Sequence, residues 1–194
     1  MLQENLVIDA LSQNIKTCTV SWIDPRHKAR SALEHFIHQT YLRVHQAEIN
    51  HFFDHLFACS DGENFMASLG INFLKDTQHG FVEQYLNDSA EKVISILLNQ
   101  SISRDEIVEL GNLSSVMAGA TRRMIHKISP QLITKGVRWA IFTINKSVLN
   151  AFIKSGLNPI FITAAEKNKL IDKSTNWGNY YKTNPGVYVV RIPN

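Results

Sequence analysis

The chain has 194 residues, 44% hydrophobic and 19% charged, with a formal net charge of +3 at pH 7. That balance fits one good core and excludes a disordered chain. The mild positive charge does not suggest a nucleic-acid binder, which concentrates Lys and Arg on one face, and it leaves anionic small ligands open.

The opening stretch, MLQENLVIDALSQN, carries acidic and amide residues without a basic flank, so a secretory signal is not expected. No apolar run approaches the ~20 residues that span a bilayer. A cytoplasmic protein is the expectation, with signal-independent export left open.

The alternating, β-branched stretch 16–23 predicts a strand. In 29–45, Leu33, Phe36, Ile37 and Tyr41 recur at helical spacing and predict an amphipathic helix. Two apolar runs flank SDGEN within 51–74, and Asp61-Gly62 supplies the turn of a hairpin. Over 81–100, Ser89 is positioned to cap a helix whose apolar face is Val93, Ile94, Leu97 and Leu98. A strand at about 105–113 leads into a helix at about 117–135, with Pro130 inside it and Gly136 closing it. The apolar run 137–145 reads as a strand buried on both faces. A short helix (146–156), a strand (158–164) and a final strand (186–192) complete the chain. The order β-α-β-β-α-β-α-β-α-β-β predicts one α/β domain over 1–194, a mixed sheet flanked by helices.

Cys18 and Cys59 lie far apart without CxxC spacing, so two reduced, buried thiols are expected; a disulfide depends on geometry. His51 and His55 are four apart and His35 and His38 three apart, but HExxH is absent and 51–58 reads as strand. Solvated histidines, and no metal, are the expectation.

The stretch 108–128, VELGNLSSVMAGATRRMIHKI, passes from strand to helix through small residues. A helix start offers unpaired N–H groups and partial positive charge, and small residues let an anion approach the backbone. Val116, Met117, Ala118, Gly119, Ala120, Thr121, Arg122 and Arg123 therefore form a candidate pyrophosphate cradle. The alternative is an ordinary turn with a solvated Arg pair.

The same segments resemble the acyl-CoA-binding half of GNAT-type N-acyltransferases. There the loop reads Gln/Arg-x-x-Gly-x-Gly/Ala; here VMAGAT keeps Gly119 and departs at Val116 and Thr121. The following segment, NKSVLNAFIKSGL, keeps Asn145, Gly156 and an apolar Leu157, while the usual Tyr, a common general acid, falls on Phe152. FVEQYL (81–86), IVELGNLSS (107–115), RWAIFTINKSVLNAFIKSGL (138–157) and WGNYY (177–181) together resemble the thermostable hemolysin family, a bacterial family, over roughly 30–185. The carboxylate before the corner is also similar to the Glu-x-x-Arg strand of acyl-homoserine-lactone synthases; the Arg position falls on Asn112, so that substrate is not carried over.

The resemblance implies a GNAT-like fold, an acetyl-CoA or longer acyl-CoA donor, and acyl transfer to an amine acceptor. A carboxylate on a central strand suits the base: Glu109 first, Glu83 second. The alternatives are a carboxylate paired with Arg or backbone N–H groups for Glu109, and a helix-start carboxylate for Glu83. If strands 107–113 and 137–144 splay, pantetheine can pair with Leu110, Asn112 and Leu113. Asn145 and Asn150 can hydrogen-bond the CoA arm, or serve as a helix cap and a surface residue. Trp177, Tyr180 and Tyr181 either wall an acceptor pocket or pack over the last strands. Two other classes remain: a degenerate GNAT-like protein that binds CoA without turnover, and a membrane-active lysin, for which no long basic amphipathic helix is found. The sequence decides neither membrane contact nor a homodimer.

Overall fold

The computed structural model describes residues 18–117 and 119–193. Seven strands form one sheet: β1 (Thr19–Ile23), β2 (His55–Ser60), β3 (Phe65–Phe73), β4 (Ile107–Ser115), β5 (Trp139–Ile144), β6 (Ile160–Ala164) and β7 (Gly186–Arg191). Four α-helices accompany them: α1 (Arg30–His45), α2 (Ala90–Leu98), α3 (Ala120–Thr134) and α4 (Lys146–Lys154). The strand order is β1-β2-β3-β4-β5-β7-β6. Every neighbouring pair is antiparallel except β4 and β5, which are parallel and joined through α3.

Period-two alternation divides the core between the sheet's faces. Phe57, Leu69, Val108, Ala140, Phe142 and Val190 pack with α3 and α4. Ile107, Ile141, Val187 and Val189 face the other way, with Ile94 of α2, Tyr85 and Leu74. Leu33 and Ile37 of α1 cover Leu56 and Ala58 on that second face. Glu109 sits between Val108 and Leu110, so alternation turns it toward the α1 and α2 side, where it is 2% exposed.

The β2–β3 turn forms at the expected place. Asp61 Oδ1 accepts from the amides of Glu63 (3.0 Å) and Asn64 (2.8 Å). Helix α3 runs through Pro130 to Thr134. The helix expected over 81–100 is interrupted instead. Residues Phe81–Tyr85 form a 3₁₀ turn, and α2 begins only at Ala90. Ser89 occupies the N-cap position but its side chain makes no cap bond; the Ala90 amide is taken by Oε1 of Glu83 at 2.8 Å. Ile94 is buried as expected, whereas Leu97 is 42% exposed.

The expected pair of reduced thiols is corrected. Pairing of β1 with β2 sets Val20 against Cys59 and carries Cys18 alongside, so the two form a disulfide with Cα atoms 6.0 Å apart. Spacing along the chain carries no information about that register. Among the described residues, no helix is long and apolar enough to cross a membrane.

Candidate functional site

Strands β4 and β5 pair only from Ile107↔Trp139 to Leu110↔Phe142. Beyond that point β4 stays with β3 as far as Ser115, while β5 stays with β7 as far as Ile144. The two strands therefore part beyond Leu110 and Phe142, which is the condition set for a pantetheine slot. A β-bulge marks the parting: Ser68 pairs with Ser114 and Gly70 with Gly111, so one residue of β3 opposes Asn112 and Leu113. Asn112 adopts a left-handed φ of 46°, which Asn tolerates better than most residues. Its side chain accepts from the Phe53 amide (2.9 Å) and donates to the His51 carbonyl (3.1 Å), fixing the coil before β2 against β4.

Two cavities meet at this parting. The first, about 670 Å³, lies over the start of α3 and is lined in part by Ser114, Met117, Gly119, Thr121, Arg122 and Lys154. Among the described residues, no Asp or Glu borders it. Gly119 is the N-cap of α3 with φ 84°, a conformation that opens the helix start without a side chain. The Ser114 hydroxyl is buried and has no hydrogen-bond partner. A helix start, an orphaned buried hydroxyl, two fixed cations and no carboxylate suit the pyrophosphate and pantetheine of an acyl-CoA.

Of the predicted cradle, Val116, Met117, Gly119, Thr121 and Arg122 border this cavity, together with Leu113 and Asn145. Ala120 is buried beneath the helix start, and Arg123 and Asn150 do not line the cavity. Ala118 lies outside the described residues. Asn145 Oδ1 accepts from the Val148 amide at 3.1 Å, so its cap role is realised. Leu110 and Asn112 face the second cavity instead.

The second cavity, about 280 Å³, lies beside Glu109. Glu109 Oε1 accepts from the Val82 amide (2.7 Å), and Oε2 from the Phe81 amide (2.9 Å) and Asn72 Nδ2 (3.2 Å). Burial pushes its carboxyl up to about 7, against the pull of those three donors. Oε1 carries one hydrogen bond and keeps a lone pair.

Glu83 is not brought to this cavity. Its carboxylate bonds Arg104 (Nη1 at 2.6 Å, Nη2 at 3.0 Å) and the amides of Gly80 (2.6 Å) and Ala90 (2.8 Å). Burial disfavours its charge, yet Arg104 and the two amides outweigh that and hold the carboxyl below its usual range.

Aromatic rings wall the second cavity. Trp177 lies 5.5 Å from Tyr180 and 5.8 Å from Tyr181, centre to centre. Tyr85 and Tyr181 share a hydroxyl contact of 2.5 Å, and Tyr180 donates to the Thr143 carbonyl at 3.2 Å. The WGNYY segment docks on the end of α1 through the Asn179 amide and the His45 carbonyl at 2.6 Å. Gly178 permits this approach: its φ is 48°, and a Cβ there would lie 2.3 Å from the His45 oxygen.

Tyr41 of α1 borders both cavities. Burial, with Tyr181 adding to it, raises its phenol to about 12, so it stays protonated at neutral pH. As an apolar-face residue of a predicted helix it carried no functional signal, and neither did Thr143, Asn72 or Asp172. Phe152, on which the resemblance sets the usual Tyr, is buried with its ring 5.0 Å from that of Phe142. His38 Nδ1 is 2.8 Å from the Ile49 carbonyl, and among the described residues no group of three or more His, Cys, Asp or Glu could hold a metal ion.

The profile of the family described as Thermostable hemolysin matches residues 23–194. No curated protein sequence matches the chain. Among solved structures, an N-acyl amino acid synthase, FeeM, from uncultured soil microbes superposes with a TM-score of 0.62 at 12% identity, covering 91% of this chain and 92% of that one. The acyl-homoserine-lactone synthase LasI gives 0.56 at 10% identity, covering 91% and 90%. The putative acetyltransferase yncA from Salmonella typhimurium, solved with its cofactor acetyl-CoA, gives 0.53 at 6% identity, covering 92% and 95%. At these identities the likeness shows the fold, which is GNAT-like.

Proposed function

We propose that this chain, which belongs to the thermostable hemolysin family, transfers an acyl group from a CoA thioester to an amine. One observation carries the reading: where β4 parts from β5, a cavity suited to an anionic donor meets a cavity holding a buried carboxyl, with Tyr41 on the boundary of both.

In this reading, Val116 to Arg122 hold the pyrophosphate at the start of α3, and the parted strands receive pantetheine. Glu109 removes a proton from the acceptor nitrogen, directly or through one water. The nitrogen attacks the thioester carbonyl; a C–N bond forms and the C–S bond breaks. Tyr41 gives its phenolic proton to the departing thiolate and regains one from solvent. Tyr41 supplies the acid that the usual Tyr of GNAT enzymes would give where this chain has Phe152. Glu83 holds the 80–90 segment through Arg104 and takes no part in proton transfer.

Calorimetry of the purified protein with CoA, acetyl-CoA and a long-chain acyl-CoA, followed by thiol release with amine acceptors, tests the reading. Pyrophosphate-dependent binding and amine-dependent thiol release support it. The loss of the usual Tyr at Phe152 favours a second reading, a CoA-binding protein without turnover. Binding with no thiol release under any amine would establish that alternative. Lysis of red cells by the protein with no thioester present would favour a membrane-active protein instead.

A further inference from the structure

The cavities differ in charge. Among the described residues, the donor cavity carries Arg122 and Lys154 and no carboxylate. The described residues of the Glu109 cavity include two carboxylates, Glu109 and Asp172, and no Lys or Arg. It is continuous, through His51, Phe53, Phe81 and Asp172, with a third cavity of about 540 Å³. That outer cavity adds Asp54 and Asp76, again with no Lys or Arg; its basic groups are His51, His55 and His79. Among the described residues, the path from solvent to Glu109 is thus anionic and aromatic.

An amino acid acceptor would bring a carboxylate into this path without an Arg or Lys to receive it, at a cost in desolvation and repulsion. A simple monoamine would leave the outer carboxylates unused, because its nitrogen must be neutral when it attacks. A second cation on the acceptor uses both features. Trp177, Tyr180 and Phe81 offer π faces to an ammonium or its alkyl chain. The Thr143 hydroxyl, buried without a hydrogen-bond partner, borders the inner cavity and can meet the reacting amine. Asp172 is held in place by Ser174 Oγ (2.6 Å) and Thr175 Oγ1 (2.7 Å).

Building on the N-acyltransferase reading, we propose that the acceptor is an aliphatic diamine: one amine faces Glu109, and the second, as ammonium, is held by Asp172 with Asp54 and Asp76. The product is then a mono-N-acylated diamine that keeps one positive charge.

Three probes of equal chain length test this: 1,4-diaminobutane, n-butylamine and 4-aminobutanoate, each with saturating acyl-CoA. The expected order of kcat/KM is diamine over monoamine by about tenfold or more, with 4-aminobutanoate slowest. Asp54 and Asp76 make no side-chain hydrogen bond or ion pair among the described residues, so D54N/D76N removes charge with little effect on folding. That variant should reduce the diamine-to-monoamine ratio to within about threefold of unity, chiefly through KM. Equal rates for all three probes, a faster 4-aminobutanoate, or an unchanged ratio in the variant would overturn the proposal. If no amine releases thiol, the N-acyltransferase reading fails by itself. Calorimetry of 1,4-diaminobutane without thioester then decides the acceptor question: binding weakened in D54N/D76N supports the site, and no binding to the wild type removes it.

Discussion

The Val82 amide donates to Oε1 of Glu109 at 2.7 Å and ties the carboxyl of the inner cavity to the turn that follows Gly80. Glu109 therefore shapes the wall and faces the acceptor at once. Replacement by Gln sets an NH₂ group against one of the N–H donors, at a cost of about 1–3 kcal/mol in stability. It also removes the base, so kcat should fall about 100-fold while acyl-CoA affinity changes little. With the wild-type carboxyl near 7, kcat/KM should rise with pH through that value. Stability should move the opposite way. The folded state holds the proton more tightly than the unfolded chain, whose carboxyl titrates near 4.5, so stability is lost as pH rises from there to about 7. Denaturant midpoints for the wild type and E109Q across pH 4 to 8 check the sign: a pH-independent difference would remove Glu109 as the titrating group.

Glu83 should behave differently. It is ion-paired with Arg104 at 2.6 Å and accepts the amides at both ends of the 80–90 segment. Because Arg104 keeps some contact with solvent, E83Q should cost about 2 kcal/mol rather than the full cost of a broken buried pair. Its folded carboxyl sits below the unfolded value, so this stability is present above about 4.5 and lost as pH falls through the folded pKa. Thiol release by folded E83Q should match the wild type at a temperature well below its Tm. A large drop in kcat there would return Glu83 to the chemistry.

Gly119, with φ 84° at the N-cap of α3, should tolerate Val poorly. The left-handed conformation costs a β-branched residue on the order of 1–2 kcal/mol, and its methyl groups would enter the donor cavity. G119V should remain folded by circular dichroism and lose at least about tenfold in CoA affinity by calorimetry. Affinity equal to the wild type would mean that the pyrophosphate lies elsewhere.

The element order was readable because alternation and helical spacing are strong in this chain, and the parted strands are set by a parallel pair that needs a crossover helix. Glu109 could be chosen because it lies on a central strand just before the small-residue corner. Tyr41 could not, because a residue that faces a cavity between α1 and the sheet has the same spacing as one that faces core. The break before α2 was hidden for a related reason: the Ala90 amide at the helix start is taken by Glu83, seven residues back, and not by a local cap. Arg104, Glu83's partner, lies 21 residues further along, beyond any local pattern.

The Cys18–Cys59 bond closes a loop across a sequence separation of 41 and ties the first strand to its neighbour. Loop-closure entropy places its contribution at about 4 kcal/mol, less any strain. In a reducing compartment the pair would be thiols, so the protein should show a lower Tm with reductant than without. Mass spectrometry after alkylation should show two added alkyl groups only when reductant was present. Labelling of both cysteines without reductant would show that the thiols stay separate.

Tyr41 meets both cavities, and its phenol, near 12, is protonated at working pH. A phenol at that boundary can protonate a thiolate as the C–S bond breaks, and a phenyl ring cannot. Y41F keeps the ring contact with Tyr180, whose centre is 6.4 Å away, so the cavity wall should persist. The expected loss is therefore in kcat, by about 10- to 100-fold, with KM for the acyl donor nearly unchanged. A thioester with a more acidic thiol needs less help in departure, so it should recover part of that loss in Y41F and gain little in the wild type. Equal gains in both proteins would mean that the thiolate leaves without Tyr41, and the hydroxyl would then serve only to order water between the two cavities.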